Sequence, residues 1–202
     1  MLSPTEIKIL KLLFDDLTKE YTIRGISLSL NLPYPQIHRS ISSLYDKKLI
    51  RSTSQGKNII INLALEEKND EFIQVENERK KDLIHKYKPV RILLNDLGKI
   101  SYTQFICILF GSYAERKAKK SSDLDLLFVI PEEYDYGKFE KNIKNTIITP
   151  NVDINITTEK GLLEMWNTPM KLNVGNELLK KHVILCGAEQ FLKLRRQYYI
   201  GK

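Results

Sequence analysis

Two aspartates, Asp123 and Asp125, stand at the start of the apolar run 126–130 in the segment SSDLDLLFVI. The apolar run predicts a buried strand, and residues two apart in a strand project to the same side, with Cα atoms about 7 Å apart. Two carboxylates on one side repel each other, and one of them tends to take up a proton. A divalent cation removes this conflict, and Mg²⁺ accepts carboxylate and phosphate oxygens together. The pair therefore indicates metal-assisted chemistry on a phosphate compound.

A third acid, Asp153, lies in the segment NVDINIT, where apolar and polar residues alternate. The alternation predicts a strand with Asp153 on its polar face. If this strand lies beside the first, Asp153 joins the pair. One metal ion would then hold a triphosphate, and a second would lower the pKa of an attacking hydroxyl, with Asp153 as ligand or base.

An apolar run at 102–110 predicts another strand, and it stops at Gly111-Ser112. Glycine lets the backbone turn sharply and approach a ligand closely. A short helix is predicted next, and a strand, a turn and a helix N-terminus together present free N–H groups to an anion. The Ser112 hydroxyl adds a further donor. The alternative is that Asp123 and Asp125 only form a turn or a cap. The Gly-Ser turn upstream and Asp153 downstream favour the chemical interpretation.

The first third of the chain predicts three helices followed by a β-hairpin. Ser3-Pro4-Thr5-Glu6 has the residues of a capping box, and Thr22 is a candidate cap for a second, short helix. A third helix is expected from about Pro35 to Asp46. Two β-rich runs follow, and the tetrapeptide SQGK between them predicts a hairpin tip ending at Lys57.

Composition favours a soluble protein with an anionic partner. The net charge of the 202 residues is +7, and residues 1–63 contain nine Lys or Arg against five Asp or Glu. The two cysteines are scattered in apolar stretches, which indicates a reducing compartment without a disulfide framework. No signal pattern or long apolar run is present, so we expect a cytoplasmic protein and no membrane partner.

The stretch PYPQIHRSISSLYDKKLIRS, with the order of elements in residues 1–65, resembles the winged helix-turn-helix of transcription regulators. The resemblance implies that the third helix enters the major groove of DNA. These regulators often have glycine where this chain has Lys48. The alternative is a winged helix used for protein contacts or dimerisation. The implied DNA contacts are Tyr34, Gln36, His38, Arg39 and Ser40 on the helix and Lys57 on the wing.

Residues from about 95 to 200 resemble the minimal nucleotidyltransferases of the DNA polymerase β superfamily. The pattern is an apolar strand, then G-S, about ten residues, then S-D-x-D-L, with a further Asp on a later strand. The resemblance implies a small mixed sheet with flanking helices and Mg²⁺-dependent transfer of a nucleotide from an NTP. Its implied site residues are Gly111, Ser112 and Ser122 for the triphosphate and Asp123, Asp125 and Asp153 for the metal.

The chain departs from that pattern in the short helix. Members often have A-R-G or A-K-G after G-S-x, whereas here Ala114 is followed by Glu115 and Arg116. We expect Arg116 to supply the missing cation and to bind the nucleotide. If it does not, the alternative is a fold that has kept nucleotide binding without catalysis.

These predictions define an α+β protein with three parts. Residues 1–65 form the winged helix-turn-helix, residues 66–98 a helical linker, and residues 99–202 the nucleotidyltransferase domain. The charge-dense linker is expected to have a solvated face, with a dimer seam as the alternative, which leaves a homodimer open.

The first functional hypothesis is transfer of a nucleotide, most simply AMP from ATP, to a protein or nucleic-acid hydroxyl; related minimal enzymes include antitoxins that nucleotidylate a toxin. The second is a transcription regulator that binds nucleotide as an effector.

Overall fold

The computed structural model describes residues 1–56, 58–168 and 173–201. Helices and strands make up a mixed α and β architecture with two sheets, which agrees with the α+β prediction. The helices are α1 (Pro4–Asp15), α2 (Ile23–Leu30), α3 (Tyr34–Asp46), α4 (Glu71–Lys86), α5 (Lys88–Leu97), α6 (Gly111–Ala114), α7 (Tyr136–Thr146), α8 (Glu159–Asn167), α9 (Val174–Lys180) and α10 (Ala188–Ile200). The strands are β1 (Tyr21–Thr22), β2 (Ile50–Gln55), β3 (Asn58–Leu63), β4 (Ile106–Phe110), β5 (Leu124–Ile130), β6 (Val152–Thr158) and β7 (Val183–Cys186).

The N-terminal segment folds as three helices followed by an antiparallel hairpin, in the order that the sequence predicts. Ser3 and Glu6 form the expected capping box at the start of α1, and the Thr22 hydroxyl caps α2. The strand order of the first sheet is β1-β3-β2. The apolar faces of α1, α2 and α3 pack over this sheet and enclose a core that includes Phe14, Ile26 and Leu44.

Glu6 ties α1 to the end of α3. Lys47 Nζ lies 2.6 Å from Glu6 Oε1. Burial raises the pKa of Glu6, but hydrogen bonds from Lys47, Ser3 and Ser43 outweigh it and lower the pKa to about 2. The helix that carries the predicted DNA contacts is therefore held against α1 by a carboxylate that stays ionised at neutral pH.

The second sheet has the order β6-β5-β4-β7 and is mixed, because β5 and β6 are parallel while β4 is antiparallel to both β5 and β7. Helices α5 and α7 pack on one face through Leu93 and Phe139. Helices α8 and α10 cover the other through Trp166 and Phe191. Both faces of the central strands are therefore buried, which explains why β4 is apolar throughout and β5 is apolar from Leu126 onward.

Helix α4 belongs to both cores. Phe72 and Val75 lie in the N-terminal core, and Leu83 lies in the core under the second sheet. The prediction of a solvated face is wrong for Glu76 and Arg79, which are 0% and 1% exposed. Arg79 donates to both oxygens of Glu76, at 2.7 and 2.8 Å, because burial of either charge without the other would be costly.

Within the described part of the chain, no helix is both long and apolar enough to cross a bilayer.

The exit from α3 has a left-handed residue where the resembled regulators often have glycine. Lys48 adopts φ 55°, and its N–H donates to the Tyr45 carbonyl at 2.9 Å. A side chain at a left-handed position costs about 1–2 kcal/mol, which glycine avoids.

We expect Lys48→Gly to raise the free energy of unfolding by about 1 kcal/mol, because it removes this strain. The matched control is Asp46→Gly, in the last turn of α3, which should lower stability by about 0.5–1 kcal/mol. Urea denaturation of both variants measures the difference. A Lys48→Gly variant no more stable than the wild type would contradict the strain argument.

Candidate active site

The carboxylates predicted to act together lie on adjoining parallel strands. Asp125 is directly opposite Asp153 in the register of β5 and β6, and Asp123 comes two residues before Asp125. Asp125 is partly buried, whereas Asp123 and Asp153 are exposed. The amide of Asn155 donates to Asp153 Oδ2 at 3.3 Å. The strand that carries Asp153 therefore lies beside the strand that carries Asp125, as the grouping of the three carboxylates requires.

The three charges act on one another at Asp125. Burial raises the pKa of Asp125, and the charges of Asp153 and then Asp123 raise it further. Asp123 also acts on Tyr113, whose pKa is raised first by burial, then by Tyr87 and Asp123. The site concentrates negative charge that protein groups leave unbalanced, as a cation site requires.

Gly111 makes room for the central carboxylate. It adopts φ 64° between β4 and α6. A Cβ atom at this position would lie 2.1 Å from Asp125 Oδ2, which no real contact allows. Glycine is therefore required twice here, for the backbone turn and for the close approach of Asp125.

The two serines of the pattern both precede the carboxylates in the chain, Ser112 in α6 and Ser122 in the turn before β5. Ser112 is in α6, and its carbonyl accepts a hydrogen bond from the Lys117 N–H at 2.9 Å. The Ser122 hydroxyl accepts from the Lys119 N–H at 2.9 Å and so closes the turn before Asp123. Their roles toward a nucleotide remain predictions.

Arg116 occupies the position of the missing glycine and has φ 62°, so the backbone keeps the left-handed turn without the glycine. Its guanidinium lies 3.7 Å from Asp82 of α4, which also pairs with Lys11 of α1. The side chain is directed to α4 in this structure. Its predicted contact with nucleotide remains a prediction and requires this surface pair to open.

A buried carboxylate on α5, Asp96, holds the loop that precedes β6 and Asp153. Asp96 Oδ2 accepts from the Thr149 hydroxyl at 2.7 Å and from the Ile148 and Thr149 N–H groups. Burial raises the pKa of Asp96, but hydrogen bonds from Thr149, Lys99 and Ile148 outweigh it and lower the pKa. The charged acceptor therefore holds the loop that delivers β6 to β5.

Residues 101–187 match the family model described as Polymerase beta, Nucleotidyltransferase. The matched segment runs from before β4 to the end of β7 and contains Gly111, Asp123, Asp125 and Asp153. The C-terminal half of the chain therefore contains a segment similar to nucleotidyltransferase domains, as the resemblance implied. The match does not extend to the N-terminal segment. Comparison with curated proteins and with solved structures gave no match.

A cleft of about 650 Å³ opens at Asp125, the central one of the three carboxylates. Phe110 and Gly111 also line it, and Asp16 of the N-terminal segment contributes to the wall. The remaining charged residues on the wall are Glu115, Lys117, Glu177, Lys180 and Lys181. Lys180 and Lys181 were not predicted as site residues, and the only signal for them was a pair of lysines before the last strand.

A second cavity, of about 430 Å³, lies between the start of α4 and α10, lined by Phe72 and Arg196 among others. It contains none of the predicted catalytic residues. The cleft at Asp125, rather than this more hydrophobic cavity, is therefore the candidate active site.

The donor set of the cleft fits Mg²⁺ bound together with a phosphate substrate. Among residues 1–56, 58–168 and 173–201, no three His, Cys, Asp or Glu side chains are grouped closely enough to hold a metal ion by themselves. Mg²⁺ in phosphate-handling sites is usually held by one or two carboxylates plus substrate oxygens. Asp125 with Asp153 supplies such a pair, and their mutual repulsion favours a bound cation.

The predicted DNA contacts lie at the start of α3. Tyr34, His38 and Arg39 are exposed, and Ser40 is partly buried. Gln36 is already engaged, since its amide donates to the Thr5 hydroxyl of α1 at 2.9 Å. Lys57 lies outside the described residues. The exposed members form one surface that is separate from the nucleotidyltransferase cleft.

We expect Gly111→Ala to lower the free energy of unfolding by about 2–4 kcal/mol, because it adds both backbone strain and a clash with Asp125. Gly56→Ala is the matched control, since Gly56 has φ 60° but nothing within 4 Å of the added Cβ. The free energy of unfolding of the control should fall only by the cost of backbone strain, about 1–2 kcal/mol. Chemical denaturation compares the two. Equal losses would show that Gly111 is not needed for the approach of Asp125.

Proposed function

We propose that this protein is a Mg²⁺-dependent nucleotidyltransferase that moves a nucleotide, most simply AMP from ATP, to a hydroxyl group of a protein or a nucleic acid. The observation that carries the proposal is the register of Asp125 with Asp153, together with the position of Asp125 beside the Gly111 turn in the wall of the cleft. The family match of residues 101–187 supports the reaction class. A second copy of the chain is a candidate partner, because regulators with this N-terminal arrangement usually act as dimers.

Each residue has a role in this proposal. Asp123, Asp125 and Asp153 would hold the metal together with substrate oxygens, and the exposed Asp153 also orients or deprotonates the acceptor hydroxyl. Gly111 lets the triphosphate approach the backbone, and Ser112 and Ser122 donate to it. Bound Mg²⁺ supplies charge neutralisation for the phosphates and lowers the pKa of a coordinated hydroxyl. Attack on the α-phosphorus forms the new ester bond, and pyrophosphate leaves.

The N-terminal segment is proposed to be a winged helix-turn-helix that binds DNA. Three helices, the β1-β3-β2 sheet and the exposed Tyr34, His38 and Arg39 support this. The positive charge of residues 1–63 also suits a phosphate backbone. In this arrangement the segment brings the transferase to DNA or regulates its own operon.

The main test is the double variant Asp123→Asn with Asp125→Asn. We expect it to abolish Mg²⁺-dependent ATP binding and label transfer from α-³²P-ATP, because the metal loses its charged ligands. Without metal, the double variant should be more stable than the wild type at pH 7. The folded state raises the pKa of Asp125, so its ionised form opposes folding as the pH rises through that range, and the advantage should vanish when the carboxyls are protonated.

A folded double variant that transfers as fast as the wild type would refute the assignment. Glu133→Gln with Glu164→Gln, at two exposed positions that do not line the cleft, raises the net charge by the same amount and serves as the control. Transfer of the label should be measured to the protein itself, to co-expressed proteins and to RNA or DNA ends.

A second candidate function is a transcription regulator that binds nucleotide without catalysis. The observation that favours it is the departure at Glu115 and the pairing of Arg116 with Asp82. Saturable ATP binding that changes DNA affinity, with no label transferred to any acceptor, would support the regulator over the enzyme.

We expect Arg39→Ala to weaken binding to duplex DNA about tenfold, because the exposed guanidinium lies on the proposed recognition helix. Arg91→Ala on α5 removes the same charge from an exposed position outside that helix, and should change affinity little. Fluorescence anisotropy over several salt concentrations measures both, since loss of a phosphate contact also lowers the salt slope by about one unit. Equal affinities of the two variants would argue against DNA binding through α3.

A further inference from the structure

Most charges on the wall of the candidate active site are already neutralised by a neighbour. Lys117 lies 2.9 Å from Glu115, and Lys180 lies 3.6 Å from Glu177. Asp16 accepts hydrogen bonds from the Thr18 N–H and hydroxyl, at 3.0 and 2.7 Å, but these neutral donors leave its negative charge in place. The two ion pairs therefore offer little free charge to a ligand.

Besides Asp16, two charged residues of the wall are not in these ion pairs. One is Asp125, whose environment is acidic. The other is Lys181, which is partly buried and, among the residues that the structure describes, has no carboxylate within ion-pair distance. The cleft therefore presents one unneutralised cation together with the carboxylates, which is the charge arrangement that a metal-bound polyphosphate needs.

Three hydrogen bonds hold α9, the helix that ends just before Lys181. The Leu17 N–H donates to the Leu179 carbonyl at 3.0 Å, and the buried Trp166 Nε1–H donates to the Gly175 carbonyl at 3.0 Å. Asn173 caps the start of α9 by accepting from the Asn176 N–H at 2.8 Å. Because α9 is fixed at both ends, the backbone that carries Lys181 is set before any ligand enters.

We propose that Lys181 binds the β- or γ-phosphate of the nucleotide in the cleft and supplies the cation that the pattern loses at Glu115. This inference rests on the proposed function. Arg116 follows that position directly, but its side chain pairs with Asp82, and Lys117 pairs with Glu115. Lys181, directly after α9, lines the same cleft as Gly111 and Asp125.

The test compares Lys181→Gln with Lys181→Arg and with Lys144→Gln. Lys144 is a control on α7, paired with Glu140, and its replacement changes the net charge equally. Isothermal titration in Mg²⁺ measures the affinity for ATP, AMP and adenosine. Lys181→Gln should weaken ATP binding about tenfold or more and leave adenosine unchanged, because only the outer phosphates meet the lysine. Lys181→Arg should restore most of the ATP affinity, and Lys144→Gln should match the wild type.

Acetylation of the wild-type protein gives a second measurement that needs no variant to fold. ATP with Mg²⁺ should protect Lys181, but not Lys144, from acetic anhydride, and adenosine should protect neither. ATP binding that Lys181→Gln leaves intact, or absence of protection, would overturn the role of Lys181 while leaving the transferase proposal in place. A wild-type protein that binds no ATP in Mg²⁺ would instead overturn the transferase proposal itself.

Discussion

The repulsion between Asp125 and Asp153 is the constraint on which the candidate site depends. Parallel pairing of β5 and β6 sets the two carboxylates opposite each other, and burial of Asp125 limits how far water can screen them. The packing on both faces of the sheet must offset this cost. Leu126 and Phe128 lie under one helix layer, and Leu127 and Val129 lie under the other, so β5 cannot move away without loss of core contacts on both sides. The sheet therefore holds an arrangement of charge that is unfavourable without a cation.

The N-terminal segment is built into the same structure rather than appended to it. Arg79 of α4 donates to the His182 carbonyl at 2.6 Å, just before β7, and lies 3.5 Å from Asp15 at the end of α1. Burial lowers the pKa of His182 well below its usual value, and the charge of Arg79 contributes, so the imidazole is neutral near pH 7. The next residue along from α1, Asp16, lines the candidate cleft. The end of α1 therefore contacts the segment before β7 through Arg79 and also contributes to the wall of the cleft.

The sequence predicts the carboxylates of the candidate site better than it predicts the buried contacts that hold them in place. The spacing of Asp123 and Asp125, the glycine turn and the alternation around Asp153 are local patterns, and each lies where the pattern places it. Burial of Glu76 and Arg79 could not be predicted, because an ion pair inside a charge-dense helix has the same local pattern as a solvated one. Lys181 was also not predicted as a site residue, since only the folded chain brings it to the cleft that Phe110 and Gly111 line. Three-dimensional neighbours, rather than local spacing, decide these positions.

The two departures from the resembled patterns have a common physical explanation. At Lys48 and at Arg116 a glycine is expected, and at both positions the backbone is still left-handed, with φ 55° and 62°. The fold therefore requires the turn and tolerates the side chain at a cost of about 1–2 kcal/mol. Each replacement also places a long cation at the surface: Lys48 follows α3, and Arg116 follows α6 and pairs with Asp82. At Gly111 the same left-handed backbone cannot accept a side chain, because a Cβ atom there would lie 2.1 Å from Asp125 Oδ2. The space around each turn, rather than its backbone conformation alone, therefore decides where glycine is required.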